Sequence, residues 1–126
     1  MRVLIADDEP VYRSFIRRLL ATDSDVNVVG EALDGEEAVS LSERLKPDVV
    51  IMDLDMPGTN GLEATRRLKA NAALKHIPII ALSAHAMMGD AEKALQSGCD
   101  DYLSKPLDED LLFEKLRQFL GESPQR

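Results

Sequence analysis

The side chains of this sequence that could do chemistry share one feature: each closes or follows a short apolar run. They are two groups of acids, a hydroxyl and an ammonium: Asp7, Asp8 and Glu9, then Asp53 and Asp55, then Ser83, and last Lys105. Carboxylate oxygens bind hard divalent cations, and a lysine ammonium offsets carboxylate charge. Whether these groups act together depends on the elements that position them.

Five short apolar runs predict buried β-strands, at Arg2–Ala6, Asn27–Ala32, Val49–Asp53, Ile77–Ser83 and Asp101–Ser104. The run Val49-Val50-Ile51-Met52 is too short for a helix and is typical of a central strand covered on both faces, as in a parallel sheet. Helical periodicity fills the stretches between and after the strands. It predicts helices at Pro10–Ala21, Gly35–Leu45, Leu62–Ala70, Met87–Ser97 and Asp108–Leu120.

The first and fourth helices carry the stripes that we expect to face the core. The first stripe is Val11, Phe15 and Leu19, with Ile16 and Leu20 beside it, and the fourth is Ala91, Ala94 and Leu95. Cys99 is expected to be a small buried residue.

Strand and helix alternate five times, which predicts one α/β domain with a parallel sheet, right-handed crossovers and helices on both faces. All carboxyl ends of such a sheet lie at one edge, where open α/β sheets bind ligands. The acids, Ser83 and Lys105 are therefore expected to converge there. We expect the domain to span residues 1–121 and residues 122–126 to form a polar tail.

Composition excludes several classes of function. The chain has 126 residues, and 15 basic against 23 acidic residues give a net charge of -8, which argues against nucleic acid as a direct partner. A single cysteine excludes an internal disulfide and a cysteine-based zinc site. No apolar stretch approaches the roughly 18 residues of a membrane span, and Met1–Ile5 does not resemble a signal peptide. We expect a cytoplasmic protein without a membrane partner.

The convergence of acids predicts a metal site. Two carboxylates about 5 Å apart repel by about 3 kcal/mol at an effective dielectric constant near 20. Lys105 offsets one charge, and Mg²⁺ is the expected ion for the rest, because it binds through one or two carboxylates and accepts phosphate oxygens as further ligands. A carboxylate can itself attack phosphorus, which makes Asp53 the candidate nucleophile.

On these residues the sequence resembles the receiver domains of bacterial two-component response regulators, including those of phosphorelays and hybrid kinases. The matching pieces are Asp7-Asp8, Met52-Asp53-Leu54-Asp55-Met56-Pro57, Gly61, Ser83-Ala84 and Lys105-Pro106. The resemblance covers Arg2 to about Leu120. It implies a flavodoxin-like (βα)5 fold with strand order 2-1-3-4-5.

The resemblance also implies a role for each site residue. Asp53 would be the phosphoacceptor, Asp8, Asp53 and the carbonyl of Asp55 would bind Mg²⁺ or Mn²⁺, and Asp7 would act through water. Ser83 and Lys105 would hold phosphoryl oxygens, and Tyr102 would turn inward with Ser83 as a switch. Asp55 and His85 occupy positions that tune phosphoryl lifetime in the family, and the Lys105-Pro106 bond would be cis.

The same resemblance implies signalling partners rather than a metabolic substrate. A histidine kinase or histidine phosphotransfer protein would donate the phosphoryl group, commonly at the first helix, and a downstream protein would read the face formed by the fourth helix, fifth strand and fifth helix. The domain would catalyse only its own phosphorylation and dephosphorylation, as a monomer or a phosphorylation-dependent dimer. One departure is Asn60-Gly61, where many relatives have Asp-Gly, and it still suits a turn.

Three other functions compete with this interpretation. Asp53-Leu54-Asp55 reproduces the Asp-x-Asp of haloacid-dehalogenase-type phosphatases, although there the motif follows the first strand and the chain is usually longer. A flavodoxin has the same topology, but this chain lacks a Ser/Thr-Gly-rich phosphate loop and any Trp. The third alternative is an interaction module that is never phosphorylated.

Overall fold

The computed structural model describes residues 1–56, 58, 60–84 and 90–120. Five strands and five helices alternate along them. The strands are β1 Arg2–Ala6, β2 Asn27–Ala32, β3 Val49–Asp53, β4 Ile79–Ser83 and β5 Asp101–Ser104. The helices are α1 Pro10–Leu20, α2 Gly35–Leu45, α3 Gly61–Ala70, α4 Asp90–Ser97 and α5 Glu109–Leu120.

The strands form one parallel sheet in the order β2-β1-β3-β4-β5, so the predicted fold class and strand order are confirmed. Every residue of β3 and β4 is buried. In register, Ala6 lies beside Met52, Asp53 beside Leu82, and Ser83 beside Ser104. The carboxyl ends of four strands therefore lie side by side.

Two apolar clusters cover the faces of the sheet, as alternation along each strand requires. One cluster joins the sheet to α1 and α5 through Ile16, Leu20, Leu112 and Leu116. The other contains side chains from α2, α3 and α4, among them Ala38, Ala64, Leu68 and Ala94. Helices on both faces seal the interior, so polar side chains at the carboxyl edge stand at the rim of an apolar core.

The bounds of some elements differ from the predicted ones. β4 begins at Ile79 rather than Ile77, because Pro78 has no N–H and supplies only its carbonyl, to the Val50 N–H at 3.0 Å. α3 begins one residue earlier, at Gly61, where the Asn60 side chain accepts from the Glu63 N–H. The part of the fourth helix predicted before Asp90, and the predicted tail, lie outside the described residues.

The predicted core faces of α1 and α4 are partly wrong. Val11 is 83% exposed, Phe15 41% and Leu95 54%. The row of α1 that meets the sheet is Tyr12, Ile16 and Leu20, one position further along the chain. An apolar stripe can be wider than the contact it makes, so the pattern alone does not separate its buried side from its exposed flank. Cys99 is buried as predicted.

One backbone detail confirms an expectation, and another accounts for the end of a helix. The Lys105-Pro106 peptide bond is cis, and Gly98, which ends α4, has a φ of 111°. Among the described residues, no helix is both long and apolar enough to cross a lipid bilayer.

Candidate functional site

Three aspartates meet at the carboxyl edge of the sheet. Asp7 follows β1 and Asp53 ends β3; both are buried, whereas Asp8 is accessible to solvent. One carboxylate oxygen from each lies within 4.8 Å of the others. The structure thus brings together the side chains of three of the four aspartates that the sequence analysis assigns to the metal site.

Lys105 is the cation of this cluster. Its ammonium donates to Asp7 Oδ2 at 3.0 Å and lies 3.7 Å from Asp53 Oδ2 and 3.6 Å from Glu9 Oε1. The Lys105 side chain is only 8% exposed. One ammonium therefore lies among three carboxylates instead of being paired with one.

Asp53 is held in place through its carboxylate and through its backbone. Its Oδ1 accepts a hydrogen bond from the Asp55 N–H at 3.1 Å, and its backbone carbonyl lies under the first residue of α3. A Cβ on Gly61 would stand 2.3 Å from the Asp53 carbonyl oxygen, which is impossible without moving backbone. Gly61 thus lets α3 begin directly against the strand that carries the acid.

Two adjoining clefts open at this edge. One, of about 270 Å³, is lined by Asp8, Glu9, Asp53, Asp55, Ala84 and Lys105. The second, of about 250 Å³, is lined by Leu54, Asp55, Asn60, Leu62, Ser83 and Lys93. Asp55 borders both, and its Oδ2 accepts a hydrogen bond from the Ala84 N–H at 3.3 Å. The acids and Lys105 share the first cleft, and buried Ser83 lines the second.

Burial and repulsion shift the acid–base properties of the cluster. Burial raises the pKa of Asp53 to about 6; the Asp55 N–H and Lys105 act against this, whereas the charges of Asp7 and Asp55 add to it. Burial lowers the pKa of Lys105, but the hydrogen bond to Asp7 and the charges of Asp53, Asp7 and Glu9 outweigh it and raise the pKa overall. Lys105 therefore stays charged at neutral pH. Asp53 is mostly ionised at that pH, although burial and the neighbouring acids disfavour its ionised form.

The donor set fits a hard divalent cation. All three clustered side chains are carboxylates, the ligands that Mg²⁺ and Mn²⁺ take in proteins, and no soft ligand is among them. Lys105 neutralises one of the three clustered charges. Burial, with the charges of Asp7 and Asp55 added, raises the pKa of Asp53 and so disfavours its ionised form. A divalent cation at the cleft would complete the neutralisation.

Tyr102 lies on β5 beside Ala81 and packs against the cluster that contains Ala94 of α4. Its hydroxyl is buried without a hydrogen-bond partner among the described residues. The Tyr102 side chain is thus half-buried, with its hydroxyl enclosed. His85, which is predicted together with Asp55 to tune phosphoryl lifetime, lies outside the described residues.

Sequence reasoning missed two residues that support the cluster from α1. Arg13 donates to the Asp7 carbonyl at 2.7 Å and pairs with Glu31 of β2 at 3.0 Å. The ring of Tyr12 lies over the Lys105 ammonium, 4.1 Å from the ring centroid. Helical periodicity does not indicate these contacts, because they join α1 to the end of β1, to β2 and to the loop after β5.

Comparison with known proteins agrees with this geometry. Residues 3–117 match the family described as response regulator receiver domain. The chain belongs to this family. It is 35% identical over 121 residues to the polar-differentiation response regulator DivK of Brucella anthropi, a match that covers 96% of this chain and 97% of DivK.

Solved receiver structures superpose closely on this receiver domain. The response regulator domain of Thermotoga maritima CheB is 34% identical with a TM-score of 0.85, and 98% of each chain is covered. The receiver domain of sensor histidine kinase PA1611 from Pseudomonas aeruginosa PAO1 is 36% identical with a TM-score of 0.87, and 96% of this chain and 98% of that one are covered. That structure has a magnesium ion coordinated in its active-site cleft.

Membership places the chain in two-component signalling. Receiver domains are signalling domains that interact with histidine kinases or phosphotransfer proteins and with downstream targets, and they bind Mg²⁺ in an acidic pocket. The acidic cluster of this chain lies where the fold requires that pocket. Membership also removes the haloacid-dehalogenase and flavodoxin alternatives.

Burial disfavours the ionised form of Asp53. We therefore predict that Asp53→Asn stabilises the metal-free protein, and that the gain depends on pH. Because the pKa of Asp53 is raised in the folded protein, protonation of Asp53 favours folding; this stability is fully present below about pH 4 and is lost as the pH rises through about 6. At pH 8 in EDTA we expect the Asp53→Asn variant to have a free energy of unfolding about 2 to 3 kcal/mol above the native chain. At pH 4 the difference should vanish.

Urea unfolding of both proteins at several pH values measures this difference. Asp48→Asn, a change to an acid at the opposite edge of the sheet, is the matched control. Among the described residues the Asp48 carboxylate accepts a hydrogen bond only from the exposed Arg2 N–H. An Asp53→Asn protein that is no more stable than the native chain at pH 8 would contradict the interpretation that the charge of Asp53 destabilises the folded protein.

Proposed function

We propose that this receiver domain accepts a phosphoryl group on Asp53. The observation that carries the proposal is the position of Asp53: a buried carboxylate at the end of the central strand, 3.7 Å from the Lys105 ammonium and clustered with Asp7 and Asp8. The Asp55 N–H fixes one of its oxygens, which orients the carboxylate. An oriented and mostly ionised acid beside positive charge is what attack on phosphorus needs.

The proposed reaction is one displacement at phosphorus. An Asp53 oxygen forms a bond to phosphorus while the P–N bond to the donor histidine breaks, and the bonding electron pair leaves on the imidazole nitrogen, which then takes a proton. Lys105 holds a phosphoryl oxygen and neutralises part of the arriving charge, and the Ser83 hydroxyl holds another. Attack of water on the aspartyl phosphate later returns Asp53 and releases phosphate.

The residues that would hold the metal are Asp8 and Asp53 with the backbone carbonyl of Asp55, and Asp7 would act through water. When bound, Mg²⁺ or Mn²⁺ supplies positive charge to the phosphoryl oxygens. The clustering of one oxygen from each of three carboxylates supports this assignment. Asp55 also borders both clefts, which supports a role in setting how long the phosphoryl group persists, and we assign the same role to His85.

The phosphodonor protein would dock on α1 beside the site. Val11, Tyr12, Ser14, Phe15, Arg18 and Pro106 line an apolar cleft of about 560 Å³. Val11 and Phe15 are exposed, although helical periodicity predicts them in the core. Exposed apolar side chains next to a reactive cleft are the kind of surface that a partner helix covers.

Phosphorylation would be read on the face formed by α4, β5 and α5. In this proposal Ser83 moves toward the phosphoryl group and Tyr102 follows it inward, so that two conformations change in population. The enclosed hydroxyl of Tyr102 and the packing of its side chain against the apolar cluster that includes Ala94 of α4 support an inward state. A downstream protein would bind the face that this state presents.

Phosphorylation of Asp53 can be tested by intact mass. After incubation with MgCl₂ and acetyl phosphate, we expect the native chain to gain the mass of one phosphoryl group, and neither the Asp53→Asn protein nor a sample in EDTA to gain it. Released phosphate measured in the same tube accounts for rapid hydrolysis. Neither adduct nor excess phosphate, with protein donors as well as acetyl phosphate, would favour the interaction module that is never phosphorylated.

The docking surface can be tested by comparing two donors. Val11→Glu and Phe15→Glu are each expected to lower the rate of transfer from phosphorylated histidine phosphotransfer proteins about tenfold, relative to the rate with acetyl phosphate. This factor corresponds to the loss of one well-packed contact. Leu33→Glu is the matched control, because Leu33 is 49% exposed but follows β2 and lies outside the cleft. Equal rate ratios in all three variants and the native chain would remove the α1 surface from the proposal.

The switch can be tested at Tyr102. Beryllofluoride, a phosphoryl analogue, is expected to shift backbone NMR signals of α4, β5 and α5 in the native chain, and Tyr102→Ala should lose most of that shift. Tyr102→Phe should keep it, because the hydroxyl has no hydrogen bond to lose among the described residues. If the Ala variant shows the native shifts, Tyr102 is not part of the switch.

A further inference from the structure

Tyr12 stands between the docking cleft and the acidic cluster and contacts both. Its ring centroid lies 4.1 Å from the Lys105 ammonium, and its hydroxyl accepts a hydrogen bond from the Leu107 N–H at 3.1 Å. The edge of the ring meets Phe15, with centroids 5.5 Å apart and planes at 69°. The ring face of Tyr12 therefore contacts Lys105, and the Tyr12 hydroxyl contacts the loop after β5.

Lys105 needs such a constraint more than most lysines do. Its ammonium ends a flexible four-carbon chain and has three carboxylates within 3.7 Å, those of Asp7, Asp53 and Glu9. The closest is Asp7, so carboxylate attraction alone favours a position away from the nucleophile. An aromatic face attracts a cation without competing for its hydrogen bonds in the way another acid would, and it blocks one direction of movement.

We propose that Tyr12 is a positioning residue that holds the Lys105 ammonium within reach of Asp53 and of the phosphoryl group that arrives there. The inference rests on the proposed function, in which Lys105 holds a phosphoryl oxygen. Tyr12 acts through Lys105 and does not itself touch the reacting atoms. Because Tyr12 also lines the docking cleft, one side chain contacts both the partner surface and the catalytic lysine.

Two variants separate the face of the ring from its hydroxyl. Tyr12→Phe keeps the face over Lys105 and removes only the bond to Leu107. Tyr12→Leu removes the face and keeps an apolar side chain at this half-buried position. With acetyl phosphate and MgCl₂, we expect the Tyr12→Leu variant to be phosphorylated about 3- to 10-fold more slowly than the native chain, and the Tyr12→Phe variant less than about twofold more slowly.

NMR of the full chain without phosphodonor or metal provides a readout that a merely structural role would not move. A lysine end held over an aromatic face experiences the ring current, so the Lys105 Cε protons are expected upfield of the other lysines. The upfield shift should persist in Tyr12→Phe and disappear in Tyr12→Leu. In the native chain, Lys105 protons at ordinary lysine positions would overturn the proposal whether or not any variant folds.

Phe113→Leu is the matched control. It removes an aromatic face from another cation, Arg117, at 5.9 Å, in a separate cavity lined also by Thr22, Asp23 and Ser24. The control should keep the native phosphorylation rate and the Lys105 signals.

Three outcomes bear on the inference in different ways. A Tyr12→Leu protein that lacks the upfield shift yet reacts at the native rate would overturn the positioning role. A Tyr12→Phe protein as slow as the Tyr12→Leu protein would overturn it too, because the hydroxyl and not the ring face would then set the rate. A native chain that shows the shift but is never phosphorylated would instead refute the proposed function.

Discussion

The enclosure of two aspartates with a single lysine at the edge of an apolar core is the constraint on which the site depends. Asp7 and Asp53 are buried, and Lys105 lies 3.0 and 3.7 Å from their carboxylates. Removing one partner of a buried ion pair leaves an uncompensated charge, which costs about 3 to 5 kcal/mol. Like charges about 5 Å apart add about 3 kcal/mol at an effective dielectric constant near 20. Burial, with the charges of Asp7 and Asp55 added, raises the pKa of Asp53 to about 6.

The sheet keeps the charges together because the strand ends cannot move apart. β1 and β3 each have a neighbouring strand on both sides, so the backbone at Asp7 and Asp53 is fixed by strand pairing. Apolar burial offsets the cost, since a fully buried Val or Ile contributes about 1.5 to 3 kcal/mol and Val49–Met52 is completely buried. Because Gly61 has no Cβ, α3 can start directly against the Asp53 carbonyl. Burial of apolar side chains in the core thus offsets the free-energy cost of holding like charges together at the edge of the sheet.

The sequence predicts the sheet and the convergence of its polar ends because both follow from short-range patterns. Val49–Met52 is continuously apolar, and the acid that ends it must reach the carboxyl edge once the sheet is parallel. The contacts that α1 makes around the cluster do not follow from such patterns. Val11 and Phe15 match a core stripe but are exposed, because the apolar stripe of α1 is wider than its contact with the sheet. Tyr12 shows the converse case, since its contact with Lys105 joins the first helix to the end of the last strand and exists only in three dimensions.

The proposed reaction places two opposed demands on the same charges. Asp53 must be ionised to attack phosphorus, and yet burial and Asp7 favour its protonated form. A phosphoryl group brings further negative charge into a cluster in which three carboxylates already lie near one ammonium. Positive charge at the cleft meets both demands, because it stabilises the ionised acid before the reaction and the phosphoryl oxygens during it. The position of Lys105 among its neighbours therefore matters as much as its presence, which is why a ring that contacts no reacting atom can still influence the reaction.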